Sequence, residues 1–230
     1  GLRFDLREGR GVILQEIMIG GESEGVFFVD VVRTSRLAWL FALFALVAVA
    51  VGLLRGALAL VGLAVTLAVV FAWIFPRILD GADPLITTVI GSVVILAVNM
   101  HLTHGFRRQT LTAFASTVVG LGLVVLFAEG FTSFAHLSGL ASEEATFLLF
   151  GSDGSIDPRG ILLSGIILGA VGVFDDIAIT QTETVAELRA TNSRLSSREL
   201  FSRAMRVGRH HIASVVNTLV LAYVGVAMPL

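Results

Sequence analysis

Apolar residues run along this chain in six long blocks, each closed off by a short polar stretch. They cover residues 37–54, 57–75, 85–102, 111–128, 161–182 and 212–228. A helix rising 1.5 Å per residue needs about 20 apolar residues to cross ~30 Å of hydrocarbon. The pattern therefore predicts an all-α, polytopic membrane protein with about six transmembrane helices. Arg55-Gly56 is the whole connection between the first two blocks, so they are expected to form a tight hairpin. Residues 1–30 differ in kind, mixing charge, glycine and short β-like runs. They read as the tail of an extracytoplasmic β-rich domain ahead of a membrane domain at 31–230.

Composition agrees. Of the 230 residues, 55% are hydrophobic and only 15% charged, against roughly 25% charged in soluble domains. The absence of Cys removes disulfides and thiolate metal sites. A formal charge of −2 offers no basic field for nucleic acid. All 16 basic residues are Arg, and their distribution orients the spans. Four (Arg33, Arg36, Arg77, Arg159) fall in one set of alternating loops. Nine (Arg55, Arg107, Arg108, Arg189, Arg194, Arg198, Arg203, Arg206, Arg209) fall in the other. The richer set marks the cytoplasmic side, which places the N-terminal segment and the C-terminus outside the cytoplasm, in an inner (plasma) membrane.

The fifth block carries the unusual chemistry. Gly165, Gly169 and Gly172 lie along one helical face, a pattern that lets a neighbouring helix approach closely. Asp175 and Asp176 then stand side by side before the apolar run ends. Counted from residue 161, Asp176 lies about 22 Å along the helix, in the cytoplasmic third of the bilayer. A single central Asp costs roughly 2.5–3.5 kcal/mol, so its presence asks for a function. Two adjacent carboxylates in a poorly solvated site cannot easily both ionise, and they exchange protons as one coupled unit. From Asp176 a polar stripe continues through Thr180, Glu183 and Glu187.

The most charged segment follows. Ser196 and Glu199 fit a capping box, and an amphipathic cytoplasmic helix is expected at about 184–209, its arginines facing anionic headgroups. In the sixth block His210, Ser214, Asn217 and Thr218 share a face, with His211 beside them. Asn and Thr there can simply join helices, whereas His exchanges protons near neutral pH. Asn99, His101 and His104 close the third block at the same depth. The His101/His104 spacing suits one helix face, but no ligand set is complete, so no metal and no cofactor are expected.

Four stretches carry a resemblance: FFVDVVR at 27–33, LTHGFRRQTLTAFASTVVG at 102–120, GIILGAVGVFDDIAITQ at 165–181, and SSRELFSRAMRVGRHHIASVVNTLVLAYVG at 196–225. With them, residues 26–230 resemble the YibE/F-like family of bacterial multi-span membrane proteins. The resemblance implies an extracytoplasmic domain ahead of the spans, and topology rather than chemistry. It also implies that Asp176 holds the family's intramembrane Asp, with an apolar residue usual where Asp175 stands. Locally, the segment 172–179 is similar to the double-Asp helix of resistance-nodulation-division exporters, although the number of spans around it differs.

The functional expectation is a proton-coupled transporter, or the energised membrane part of one, for an unknown substrate. Asp176 and Asp175 would be the ion relay, with His210, His211, Asn217, Thr218, Thr180 and Asn99 as polar partners. A homodimer, or a heterodimer with a paralogue, would enclose the pathway. The alternative is a non-catalytic scaffold or accessory subunit whose polar residues only join helices. An enzyme is not expected: an intramembrane aspartyl protease needs Asp on two helices, and no other block has one in its interior.

Overall fold

The computed structural model describes residues 11–19, 22–140 and 156–228. The chain divides into two units, one ending at Ala57 and one beginning at Leu58. In the first, β1 (Val12–Ile19) pairs antiparallel with β2 (Glu22–Val31), from Val12 opposite Val31 to Ile19 opposite Glu22. This hairpin lies within the segment expected to be β-rich. Asp30 ends it, accepting from Val31 N and pairing with Arg33 at 2.7 Å. Helix α1 (Thr34–Val69) then begins and is interrupted at Leu53, whose φ of 51° and ψ of −131° leave the helical region. A β carbon at Gly56 would collide with the carbonyl of Ala48, so only glycine fits the return of the chain there. The expected boundary at Arg55-Gly56 is therefore real, shifted by two residues.

In the second unit a π turn (Val70–Ile74) leads into α2 (Phe75–Leu79). Pro76 has no N–H to continue the ladder, and Phe75 N reaches back five residues to Val70 O, the wider bond of a π turn. Helix α3 (Pro84–His104) starts where Asp83 accepts from Ile86 N at 2.8 Å and Pro84 takes the first helical position, a favoured cap. Helix α4 (Arg108–Phe134) follows after Gly105, whose φ of 74° turns the chain. Helix α5 (Pro158–Thr191) repeats the Asp-Pro start, with Asp157 accepting from Arg159 N at 3.0 Å. Helix α6 (Ser197–Ala227) opens with the expected capping box, Glu199 N donating to Ser196 Oγ and Ser196 N to Glu199 Oε2.

The centre of this unit is α5, which packs against α3, α4 and α6. The core between them is built from Ile95, Leu96 and Met100 of α3, Ala113 and Leu121 of α4, and Ile167 and Val171 of α5. Close approaches set the spacing. Phe174 of α5 fills the space left by Gly120 of α4, and Gln181 of α5 lies over Gly208 of α6 while donating to Ala204 O at 3.0 Å. Ser164 of α5 donates to Pro84 O at the start of α3.

Two expectations change. Among the described residues four helical stretches, not six, are long and apolar enough to cross a membrane: Thr34–Leu79, Pro84–His104, Arg108–Phe134 and Pro158–Thr191. The first two blocks lie in one 46-residue stretch that is interrupted at Leu53. The last apolar block occupies only the second half of α6, about 24 Å of helix, and is broken by Ser214, Asn217 and Thr218. There is also no separate amphipathic helix at 184–209. Its first residues finish α5, and the rest run unbroken into α6, because nothing between Ser197 and Ile212 stops a helix.

The glycines predict where bulk is tolerated. Gly208→Leu must displace Gln181 from the α5–α6 contact and should lower stability by about 1–3 kcal/mol, the usual cost of overpacking. Gly165 has nothing within 4 Å of an added β carbon, so Gly165→Leu should stay within about 0.5 kcal/mol of the parent. Thermal unfolding of both purified variants checks the contrast.

Candidate functional site

The two aspartates sit five and six residues before Gln181, so the α5–α6 contact fixes how they are rotated. They face different neighbours. Asp175 is half-buried, and the imidazole of His104, at the end of α3, is close enough to interact with it electrostatically. Its Oδ1 is buried with no hydrogen-bond partner among the described residues. Asp176 is exposed, and its Oδ2 lies 3.6 Å from His211 Nε2 of α6. That separation makes an ion pair when the imidazole is protonated and is too long for a hydrogen bond. Thr180, one turn on, donates to Asp176 Oδ1 at 3.5 Å. Of the two carboxylates, Asp176 thus has an imidazole of a neighbouring helix at ion-pair distance.

The hydrogen bonds on α3 define the state of its histidines. Thr103 Oγ1 donates its one proton to Asn99 O at 2.7 Å, so it must accept from His104 Nδ1–H, also at 2.7 Å. His101 Nδ1 likewise faces Ala97 O at 2.8 Å, an acceptor only. Both rings therefore carry hydrogen on Nδ1 and keep Nε2 for proton exchange.

The other expected partners lie elsewhere. Asn99 donates to Thr66 Oγ1 of α1 at 3.0 Å, away from the aspartates. His210, Asn217 and Thr218 are exposed, and Thr218 bonds its own Ser214 carbonyl at 3.0 Å. No hydrogen bond or ion pair joins these three to the pair among the described residues. Of the glycine face, Gly169 meets α6, where an added β carbon would lie 2.8 Å from Tyr223 Oη. Gly165 and Gly172 face open space. Glu183 and Glu187 are exposed with Asp176, so the acidic stripe lies uncovered.

His104 and Gln181 had no assigned role from sequence. His104 was visible as a titratable group at the depth of the pair. Gln181 gave no signal, since its use depends on the absent side chain of Gly208. No group of three or more His, Cys, Asp or Glu among the described residues is placed to hold a metal ion. Beyond the pair, Arg189 ties the α5–α6 turn by donating to Leu195 O at 2.7 Å. At the opposite end of α5, Arg159 reaches Glu129 and Thr132 of α4 at 3.5–3.9 Å.

The family model described as YibE/F-like protein matches residues 40–230, and the chain belongs to that family. No curated protein and no solved structure matches it. The likeness of segment 172–179 to the resistance-nodulation-division exporters has no counterpart in these comparisons.

The start of α6 is sensitive to acid. Glu199 is held below the usual carboxylate range, first by the Ser196 hydroxyl and then by the Ser196 backbone N–H. A lowered folded-state pKa stabilises above the unfolded value of about 4.3 and loses that contribution as pH falls through the folded value. Protection of amides 197–200 from exchange, relative to the unfolded chain at the same pH, should therefore fall in acid below pH ~4.3, and Glu199→Gln should remove this pH dependence. An unchanged acid profile in the variant would show that the capping box does not control this helix start.

Proposed function

We propose that this YibE/F-like protein is a proton-coupled membrane transporter, or the energised membrane part of one. The observation that carries the reading is the half-buried Asp175 beside an exposed Asp176 whose Oδ2 lies 3.6 Å from His211 Nε2 of α6. Charged groups are costly in an apolar helix and mark ion paths when retained. An Asp–His couple can pass a proton without holding net charge, because the imidazole loses what the carboxylate gains. The four long apolar helices support membrane residence, and the Arg distribution supports a cytoplasmic side at residues 104–109 and 183–211 of a bacterial inner membrane.

Asp176 is the carrier in this reading and Asp175 its modulator. Measured from Pro158, Asp176 lies about 27 Å along α5, near the inner boundary of the hydrocarbon layer. The uncovered stripe of Asp176, Glu183 and Glu187 then needs water or a partner, because lipid would reject it. A second copy or a paralogue packed on the Gly165/Gly172 face would close the path.

A second reading is a scaffold or accessory subunit without transport, favoured by Asn99, whose polar side chain joins α3 to Thr66 at 3.0 Å as a simple helix-to-helix tie. Proton uptake into reconstituted vesicles separates the two. Asp176→Asn should reduce uptake on the order of a hundredfold, as expected on removing a positioned proton-transfer group, while the protein remains folded. Equal uptake by variant and parent would remove the relay and leave the scaffold.

A further inference from the structure

Helix α3 carries a second polar feature that the Asp pair does not use. Thr88, Ser92, Asn99 and Thr103 fall within about 60° of one another around the helix, one stripe along four of its turns. Thr88 and Ser92 are fully buried. The hydroxyls of both, and Oδ1 of Asn99, are buried without a hydrogen-bond partner among the described residues. This is not the ordinary state of a hydroxyl in these helices. Thr66, Thr103, Thr117, Thr132 and Ser164 each bond the carbonyl four residues back. Thr88 and Ser92 make no such bond. Leaving a buried polar group unpaired is costly, and three such atoms along one stripe call for a shared reason.

We propose that this stripe lines a water-relayed proton path that joins the start of α3 to its His104 end; the proposal rests on the proton-coupled reading above. Each hydroxyl can accept a proton from one neighbour and release its own to the next, so the stripe passes protons without changing its net charge. Thr103, at the far end of the stripe, fixes the ring of His104 through Nδ1 and leaves its Nε2 free. The route is not continuous. Between Ser92 and Asn99, a rise of about 10 Å, the buried Ile95 and Leu96 flank the stripe on either side. That apolar step separates two polar halves and gives the path a closed position, which a coupled transporter needs if it is not to leak.

The test uses the full chain in lipid vesicles under a pH gradient. Thr88→Val combined with Ser92→Ala removes both hydroxyls, and because neither is satisfied, thermal stability should hold or rise. Proton uptake should fall towards the level of Asp176→Asn. A stable double variant with parental uptake would overturn the path and leave the aspartate relay standing. Asp176-independent uptake in the parent itself would overturn both. A second measurement does not depend on uptake. The chain has no cysteine, so Thr88→Cys and Ser92→Cys each present a single thiol to a water-soluble thiosulfonate reagent. Both should react several-fold faster than Leu96→Cys, and equal rates at all three positions would show that no water reaches the stripe.

Discussion

Helix α5 holds two carboxylates in an otherwise apolar run, and it can do so only because α3, α4 and α6 come close enough to govern its surroundings. Closeness here depends on missing side chains. Gly120 admits Phe174, Gly208 admits Gln181, and the hydroxyl of Ser164 reaches the backbone of Pro84. Together these contacts fix the rotation of α5 about its own axis. That rotation decides which carboxylate turns towards α3 and which stays open beside α6. A change of 100°, one residue around the helix, would exchange their environments.

The proposed chemistry follows from this division. Asp175 is half-buried, while Asp176 lies 3.6 Å from His211 and remains accessible. One carboxylate therefore faces the interior, where the α3 stripe runs, and its neighbour faces outwards, where a partner chain or water would lie. Adjacent carboxylates with different exposure suit a handover between two compartments better than two equivalent ones would. The capping box at Ser196 and the Arg189 tie across the turn hold α6 in register with α5, which keeps His211 at the level of the pair.

Much of the helical layout was legible in the sequence, because its signals are local. The Ser196–Glu199 capping box starts α6 where the sequence placed it. The break near Arg55-Gly56 was legible as well. The number of spans was not, since hydropathy alone cannot separate an interrupted helix from two, and the block at 212–228 looks complete until its charged leading turns prove to be the same helix. In the site, depth along α5 follows from counting residues, so His211 was a sound candidate beside Asp176. Rotation does not follow from counting. Asn99 lies at the expected level yet turns to Thr66 of α1, and His210 lies next to His211 yet points away. Membership of the YibE/F-like family covers most of the chain and assigns no role to any of these side chains.

The central claim is that aspartate and imidazole act as one proton-transfer unit, and a double-mutant cycle on proton uptake tests it most directly. Asp176→Asn, His211→Gln and the combined variant would be compared with the parent in the same vesicles. Groups that act as a unit are strongly non-additive, so the combined variant should be no more impaired than Asp176→Asn alone. Losses that multiply independently, or a His211→Gln variant indistinguishable from the parent, would contradict the account.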